Sequence, residues 1–412
     1  MQRPQNPPRG TIDLLSPESL SCRYIENLAQ RIFESAGFQE VKTPIFEATE
    51  IFVRAAGEAS DIVNKEMYTF EDRSGRSLTL RPEGTAGVVR AYLTNGLDRK
   101  TKPVKLWYSG EMFRYERSQV GRYRQFRQIG VEIFASGGVL IEFEAITLAL
   151  KLFQELKIKD LVLEINSVGD FESRKIYQEV LRSFLKEHEN KICPDCQKRS
   201  ESNPIRALDC KIPEDQELYK QAPKIKDYLN NESLEHHKQL IKLLEDFNIN
   251  YIWNESLVRG LDYYNNTVFE IKTNNKTLAN QNTICAGGRY DSLVKDFGGD
   301  NTPAFGWALG LERVMQIAEI NLKQNIDFFL INELGQENII EIISLANKLR
   351  NLKFKICFDY DNKSPNKQFE LAKKLNAEKI IIFKEGKLIL KDLLNEKQFV
   401  FENSEELIKN II

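Results

Sequence analysis

Residues 113–127 read FRYERSQVGRYRQFR and residues 128–134 read QIGVEIF, and together they are the most informative stretch of the sequence. Five arginines fall within the first fifteen of these residues, interleaved with Tyr115, Tyr123 and Phe126. The planar guanidinium fork suits phosphate oxygens, and aromatic rings suit stacking on a base. The stretch therefore favours a loop that binds phosphates and a base, with a solvated basic loop as the alternative.

The residues that follow the basic run alternate like a β-strand. Gln128, Gly130 and Glu132 fall on one face, and the apolar residues between them fall on the other. Such a strand can form the floor of a ligand pocket, with Gly130 leaving room for the ligand. We therefore predict two strands within 104–134, joined by the arginine-rich loop.

The flanking sequence extends this prediction to a sheet. Residues 20–37 have the spacing of an amphipathic helix that ends at Gly37, and a short strand over 38–43 runs into Pro44. Residues 256–313 are again strand-rich and punctuated by glycines. Because these strands do not alternate with helices, we predict an α+β fold with an antiparallel sheet core flanked by helices.

The remaining segments predict further domains, since 412 residues are too many for one core. Residues 170–250 are charged and mostly helical in pattern, and they interrupt the strand-rich region. We predict that they form a helical insertion between the two parts of the first domain, 1–169 and 251–322. Residues 326–412 alternate strands and helices, which predicts a small C-terminal α/β domain.

Composition restricts the possible functions only weakly. The 58 basic and 60 acidic residues give a formal charge of −2, which does not indicate a nucleic-acid partner. No window has the length of an apolar membrane span, and the first residues do not resemble a secretory signal, so we expect a cytoplasmic protein with no membrane partner. The three histidines, His188, His236 and His237, lie outside the segments that carry the chemistry, so we do not expect histidine-based catalysis there.

The cysteines pose a separate question. Cys193-Pro-Asp-Cys196, with Cys210 beyond, has the first spacing of a zinc knuckle. A structural zinc site needs four ligands, and only the remote His236 or His237 stands out as a fourth. We therefore favour reduced cysteines and expect no metal ligands, with zinc as the alternative.

Four further motifs carry polar groups beside glycine or proline. LRPEGTAG (80–87) describes a turn that presents Glu83 and Thr85 at the start of a helix, where a carboxylate can bind an ammonium group or merely cap the helix. LVRGLDYY (257–264) and AGGRYD (286–291) suit places where backbone approaches a ligand, or else glycine turns with exposed side chains. PAFGWALGLER (303–313) places Arg313 in the first turn of a helix, which opposes the helix dipole and favours an anionic ligand.

Together these motifs resemble class II aminoacyl-tRNA synthetases. Residues 113–116 resemble the second signature of that class and residues 306–313 the third. The helix and strand before Pro44 resemble the first signature, which in the class forms the dimer interface. Residues 257–264 and 286–291 closely match two peptides particular to histidyl-tRNA synthetases, and the resemblance covers essentially the whole chain.

The resemblance implies an activity and its partners. A histidine–tRNA ligase activates L-histidine with ATP, releasing pyrophosphate, and transfers the histidine to tRNA(His). The resemblance further implies Mg²⁺, a homodimer and an anticodon-binding role for residues 326–412. Residues 364–368 match the anticodon-domain signature only loosely, and Tyr115 stands where many relatives have histidine.

The resemblance also assigns roles to the residues around ATP. Arg114 and Arg259 would bind the α-phosphate as the catalytic residues, with Arg259 replacing one metal contact. Arg122 and Arg313 would bind the outer phosphates, and Phe126 would stack on adenine.

The histidine-binding residues follow from the same resemblance. The ammonium group would be bound by Glu83, Thr85 and Gln128. The imidazole nitrogens would bond to Glu132 and Tyr264. Three more residues complete the predicted pocket: Arg259, Tyr263 and Tyr290.

Two other functions compete with this interpretation. A regulatory paralogue, found with the first enzyme of histidine biosynthesis, keeps the catalytic fold but lacks the tRNA domain. The second alternative is an RNA-binding protein with an inactive synthetase fold. The C-terminal segment speaks against the first, and Arg114, Arg259 and Arg313 speak against both.

Overall fold

The computed structural model describes residues 5–57, 60–117, 119, 121–135, 137–278, 281–322, 325–333, 339–361, 363–384 and 386–411. Ser118 and Val120 of the arginine-rich loop lie outside these residues. The chain divides into two compact units, Met1–Ile320 and Asn321–Ile412. Within the described ranges, every helix is too short or too polar to cross a membrane.

The first unit contains both strands and helices. In chain order, its strands are β1 (Gln39–Glu40), β2 (Phe46–Ala48), β3 (Tyr68–Glu71), β4 (Ser77–Leu80), β5 (Val104–Phe113), β6 (Gln125–Phe134), β7 (Leu161–Ser167), β8 (Tyr251–Trp253), β9 (Asn265–Thr273), β10 (Thr283–Arg289) and β11 (Ala304–Gly310). Its helices are α1 (Glu18–Ser35), α2 (Thr49–Ala56), α3 (Thr85–Thr94), α4 (Val139–Glu155), α5 (Phe171–Glu187), α6 (Pro194–Ser202), α7 (Pro213–Tyr219), α8 (Asn231–Asp246), α9 (Leu293–Asp296) and α10 (Leu311–Ile317).

Eight of these strands form one sheet in the order β1-β5-β6-β11-β10-β9-β7-β8. All pairs from β5 to β7 are antiparallel, and the end pairs β1–β5 and β7–β8 are parallel. The predicted antiparallel core is therefore confirmed, including the two strands that flank the arginine-rich loop. The strand predicted over 38–43 covers only Gln39–Glu40, at the edge of the sheet. The remaining strands form a small sheet in the order β2-β4-β3.

The two faces of the large sheet differ as the alternation in β6 predicts. Ile129, Val131 and Ile133 lie in the main hydrophobic core, with the buried faces of α1 and α4. The indole nitrogen of Trp307, in β11, donates to the backbone oxygen of Ala145 in α4 at 2.7 Å, which fixes the helix to the sheet. The opposite face of β6 carries the polar side chains of Gln128 and Glu132.

The predicted insertion is helical. Helices α5, α6 and α7 and the short 3-10 helices between them pack around their own hydrophobic cluster, which includes Tyr177, Leu181 and Ile205. Helix α8 differs, because its Leu240 and Leu244 belong to the main core of the sheet.

The second unit has its own sheet and helices. In chain order these are β12 (Ile326–Asn332), α11 (Ile339–Asn351), β13 (Ile356–Phe358), α12 (Pro365–Lys374), β14 (Ala377–Lys384), β15 (Lys387–Asp392), β16 (Lys397–Phe401) and α13 (Ser404–Ile411). The strand order is β13-β12-β14-β15-β16, parallel up to β14 and antiparallel beyond it. The predicted α/β alternation is thus confirmed as far as β14.

Candidate active site

A cavity of about 250 Å³ lies beside the arginine-rich loop and the strands β6, β10 and β11. Its wall brings together six of the predicted site residues: Arg114, Arg122, Phe126, Gln128, Arg259 and Arg313. These residues come from distant parts of the sequence. The sheet order explains their meeting, because β6, β11 and β10 are neighbours.

Arg313 ties three segments of the cavity wall together. Its guanidinium donates to the backbone oxygens of Gly121 at 2.9 Å and Thr283 at 2.8 Å, and to Oε1 of Gln281 at 3.0 Å. Burial lowers the pKa of Arg313, and the positive charges of Arg122 and Arg114 lower it further. The four arginines of the cavity outnumber its three glutamates, so an anionic ligand would balance the excess positive charge.

Arg114, near the start of the arginine-rich loop, also lines the cavity. Its Nε donates to the backbone oxygen of Pro82 at 2.8 Å, and its guanidinium lies 5.5 Å from the ring centroid of Phe126. Arg122 forms an ion pair with Glu116. The loop thus presents two arginines and the rings of Tyr123 and Phe126 to the same cavity.

Arg259 reaches the cavity from the segment before β9 and pairs with Glu270. Its Nη1 lies 2.6 Å from Oε1 of Glu270, whose other oxygen accepts from the hydroxyl of Thr283 at 2.9 Å. Burial alone would raise the pKa of Glu270, but the charges of Arg259 and Lys272 outweigh it and lower the pKa. Glu270 therefore fixes Arg259 while remaining ionised. The sequence analysis missed Glu270 and Thr283, because only the pairing of β9 with β10 places them beside Arg259.

Glu132 is the centre of a buried polar network on β6, the strand that also carries Gln128 of the cavity wall. Its carboxylate accepts hydrogen bonds from the hydroxyl of Thr85 at 2.7 Å and from the hydroxyl of Tyr290. The residue is 1% exposed, and this burial raises its pKa to about 8, although the two hydroxyl groups act in the opposite direction. A carboxyl group with such a pKa can exchange a proton near neutral pH.

Glu83 caps helix α3. Its two carboxylate oxygens accept from the backbone nitrogens of Thr85 at 2.6 Å and Ala86 at 2.9 Å, as expected of a helix cap. Burial raises its pKa. Because a carboxylate has about four acceptor positions, the cap leaves it able to accept a further donor.

The two glycine motifs meet through their tyrosines. The rings of Tyr263 and Tyr264 are 4.6 Å apart, and those of Tyr263 and Tyr290 are 5.6 Å apart. All three side chains are buried, and residues 286–289 lie within strand β10. The alternative that both motifs are turns with exposed side chains is therefore wrong.

The side chain of Tyr108 fills the space beside Gly130, so the prediction that Gly130 leaves room for a ligand is wrong. A Cβ atom at Gly130 would lie 2.4 Å from Cζ of Tyr108, and one at Gly84 would lie 2.3 Å from the same atom. Tyr108 is the register partner of Gly130 in the β5–β6 pair. The sequence analysis missed Tyr108, since its position follows from the register and not from a motif.

Comparisons with known proteins agree with this arrangement. A family model described as Histidyl-tRNA synthetase matches residues 10–314. The chain is 46% identical over 392 residues to a histidine–tRNA ligase of Lactococcus lactis subsp. cremoris, covering 92% of this chain and 90% of that protein. It is 42% identical over 409 residues to a histidine–tRNA ligase of Caldanaerobacter subterraneus, covering 98% and 97%. The crystal structure of apo histidyl-tRNA synthetase from S. aureus superposes with a TM-score of 0.83 at 34% identity, covering 98% of this chain and 99% of that one.

Proposed function

The chain belongs to the histidyl-tRNA synthetase family, and we propose that the arginine-lined cavity is where it joins histidine to ATP. It is a histidine–tRNA ligase, which activates histidine with ATP and transfers it to tRNA(His). The observation that carries the proposal is the meeting of four arginines with the polar face of β6 in one cavity. Phosphates and an amino acid can therefore be held side by side.

The first chemical step needs charge stabilisation rather than a base. The carboxylate of histidine attacks the α-phosphorus of ATP, a new oxygen–phosphorus bond forms, and the bond to pyrophosphate breaks. The attacking carboxylate is already ionised, so no proton has to be removed. We assign Arg259 and Arg114 to the α-phosphate, where they would stabilise the charge that develops in the transition state.

The outer phosphates and the base need other partners. Arg313 is held within the cavity wall by three hydrogen bonds, and its charge is not neutralised by a carboxylate among the described ion pairs. We assign Arg313 and Arg122 to the outer phosphates and Phe126 to adenine stacking.

The cavity also contains carboxylates that could bind Mg²⁺. The carboxylates of Glu116, Glu270 and Glu312 lie in its wall, beside the arginines. Mg²⁺ prefers oxygen ligands and commonly uses one or two carboxylates together with substrate phosphates. We propose that Mg²⁺ accompanies ATP, where it would offset the negative charge of the leaving pyrophosphate.

Histidine would be recognised at both of its ends. Within the described residues, the side-chain oxygen of Gln128 is buried without a hydrogen-bond partner, so it can accept from the ammonium group beside Glu83 and Thr85. Glu132 and Tyr264 would bond to the two imidazole nitrogens, with Tyr263 and Tyr290 lining the pocket. An apolar analogue would leave these buried polar groups unpaired, which is a strong basis for rejection.

The family and one surface feature support a proposal about the oligomeric state. Ile45 and Phe46, which follow Pro44, are exposed, as is Phe70 in β3, and the rings of Phe46 and Phe70 are 6.2 Å apart. A contiguous apolar patch of this kind favours an interface. We propose a homodimer formed at this face, acting in the cytoplasm where charged tRNA is used, and sedimentation of the full chain tests the dimer.

ATP–pyrophosphate exchange across a panel of amino acids tests the proposed site. We expect exchange with histidine alone, and loss of it when the cavity arginines are replaced. Exchange that survives replacement of Arg114, Arg259 and Arg313 would place the reaction elsewhere. If folded protein bound histidine but supported no exchange, the regulatory paralogue would be the better interpretation.

A further inference from the structure

The helical insertion contains a compact cluster of three cysteines and one aspartate. The Sγ atoms of Cys193, Cys196 and Cys210 and a carboxylate oxygen of Asp215 all lie within 4.8 Å of one another. Cys193 and Cys196 lie at the start of α6, Cys210 follows a 3-10 helix, and Asp215 lies in the first turn of α7. Asp215 is a candidate fourth ligand that the sequence analysis did not identify.

The spacing of the four atoms suits one tetrahedral ion. Sulfur atoms about 2.3 Å from a tetrahedral ion lie about 3.8 Å from each other, and the Sγ atoms of Cys193 and Cys210 are 3.9 Å apart. The Sγ of Cys210 and Oδ2 of Asp215 are 3.3 Å apart, slightly closer than about 3.5 Å for a sulfur and an oxygen ligand of zinc. An iron–sulfur cubane would separate its ligands by the width of the cluster, so the spacing disfavours it.

Backbone N–H groups also point at two of the sulfur atoms. The backbone nitrogen of Cys196 points at the Sγ of Cys193 at 3.4 Å, and that of Ile212 points at the Sγ of Cys210 at 3.5 Å. When a metal binds, such N–H groups would orient the thiolate ligands and stabilise their charge.

Asp215 gives an independent indication of a cation. Its side chain is 2% exposed, and no lysine or arginine pairs with it among the described ion pairs. Its partners are the backbone nitrogen of Cys193, 3.2 Å from each carboxylate oxygen, and the thiol of Cys210. A buried carboxylate is expected either to have a cationic partner or to bind a metal.

We propose that Cys193, Cys196, Cys210 and Asp215 form a structural zinc site. Four protein ligands would complete the tetrahedron, so no position remains for a substrate, and the role is structural. Binding would release the thiol protons to solvent, because the ligands are thiolates. This proposal replaces the preference for plain reduced cysteines.

The site would also support the segment that carries Arg259. The 3-10 helix between α6 and Cys210 carries Arg206, whose Nη2 donates to the backbone oxygen of Gly260 at 2.8 Å. Asn203, just before that helix, donates to Oδ1 of Asp262 at 2.8 Å. Zinc would therefore fix the elements that hold residues 260–262, which follow Arg259 directly.

Metal analysis of the full chain tests the site. The protein would be produced with zinc supplied, purified under reducing conditions without chelator, and measured by elemental analysis. We expect about one zinc ion per chain in the unchanged protein and a loss of most of it in Cys210→Ser and Asp215→Ala. Cys357→Ser is the matched control, since Cys357 lies in the second unit and should leave the zinc content unchanged.

A second measurement avoids variants that fail to fold. Cobalt(II) added to the reduced, unchanged chain should bind with the near-ultraviolet absorption typical of several thiolate ligands, and zinc should displace it. Zinc below about a tenth of an ion per chain, with no uptake of added zinc or cobalt, would overturn the proposal. Full zinc content in a folded Cys210→Ser variant would overturn it equally.

Discussion

Arg259 and Arg90 have similar surroundings, so a comparison of their variants can distinguish a chemical role from a structural one. Arg259 and Arg90 each pair with a glutamate, Glu270 and Glu47, and their side chains are 21% and 23% exposed. Only Arg259 lies in the cavity wall. Loss of charge or packing alone should therefore affect both variants alike, whereas loss of transition-state stabilisation should affect only one.

We expect Arg259→Ala to lower the turnover of ATP–pyrophosphate exchange by about a hundredfold to a thousandfold, because one positioned donor contributes that much to a charged transition state. Arg90→Ala should change turnover little. Circular dichroism and thermal unfolding of both variants would show that they fold. Similar turnover in the two variants would remove Arg259 from the reaction.

Glu132 should strongly affect the KM for histidine. Replacement by Gln keeps the size of the side chain but puts an amide NH2 in place of one carboxyl oxygen, so that position can no longer accept a hydrogen bond or a proton from the substrate ring. We expect the KM for histidine in pyrophosphate exchange to rise about tenfold to a hundredfold, with the KM for ATP unchanged as the internal control. An unchanged KM for histidine would exclude Glu132 from the pocket.

The same residue should shape the pH dependence of stability. Burial raises the pKa of Glu132 from 4.5 to about 8, so the folded protein keeps this proton up to about pH 8 whereas the unfolded chain loses it above about pH 4.5. The contribution of Glu132 to stability is thus fully present below its pKa in the unfolded chain. It is lost as the pH rises through its pKa in the folded protein. The fall in the free energy of unfolding between about pH 5 and about pH 8 should be smaller in Glu132→Gln. Equal falls, measured by denaturant titration, would contradict this origin.

At the scale of strands and helices, the sequence predicted the elements that show clear strand alternation or helical spacing. The helix predicted over 20–37 is α1, Glu18–Ser35, and the strand pair around the arginine-rich loop is β5 and β6. The hairpin β15–β16 was missed, although Leu388 and Leu390 alternate with more exposed residues and are buried.

Contacts between side chains on different elements could not be predicted from the sequence. The placement of Tyr108 over Gly130 depends on strand register. The approach of Asp215 to the cysteines depends on the turn from the 3-10 helix into α7. Neither relation has a fixed spacing in sequence, so motif reasoning identified Gly130 and the cysteines but not their partners.

The close packing of β5 against β6 makes Gly130 sensitive to substitution. A Cβ atom there would meet the buried ring of Tyr108 at 2.4 Å, so Gly130→Ala should lower the free energy of unfolding by about 1–3 kcal/mol. Gly310→Ala, at the end of β11, is the control, because its Cβ would lie 3.8 Å from the nearest atom, in Arg313. Denaturant titration of both variants tests the difference. Equal stability would mean that the Tyr108 ring moves aside freely.

At the scale of the whole molecule, the two units have separate hydrophobic cores. The core of the large sheet is built within residues 22–317, and the clusters of the second unit are built within residues 328–407. All the predicted adenylation residues lie in the first unit. Because each unit has its own core, the first unit can keep its packing when the second is removed. Adenylation and tRNA charging can therefore be tested separately.

Removal of residues 321–412 is therefore expected to reduce tRNA charging more than adenylation. We predict that pyrophosphate exchange falls by less than about tenfold, which corresponds to about 1.4 kcal/mol, because the cavity and its arginines are retained. Charging at limiting tRNA(His) should fall by more than about a hundredfold, because the proposed anticodon-binding surface is lost. Sedimentation must show that the shortened chain keeps the oligomeric state of the full chain, since a lost dimer would lower both activities together. Equal losses of exchange and charging, in a shortened chain of unchanged oligomeric state, would contradict an anticodon role for the second unit.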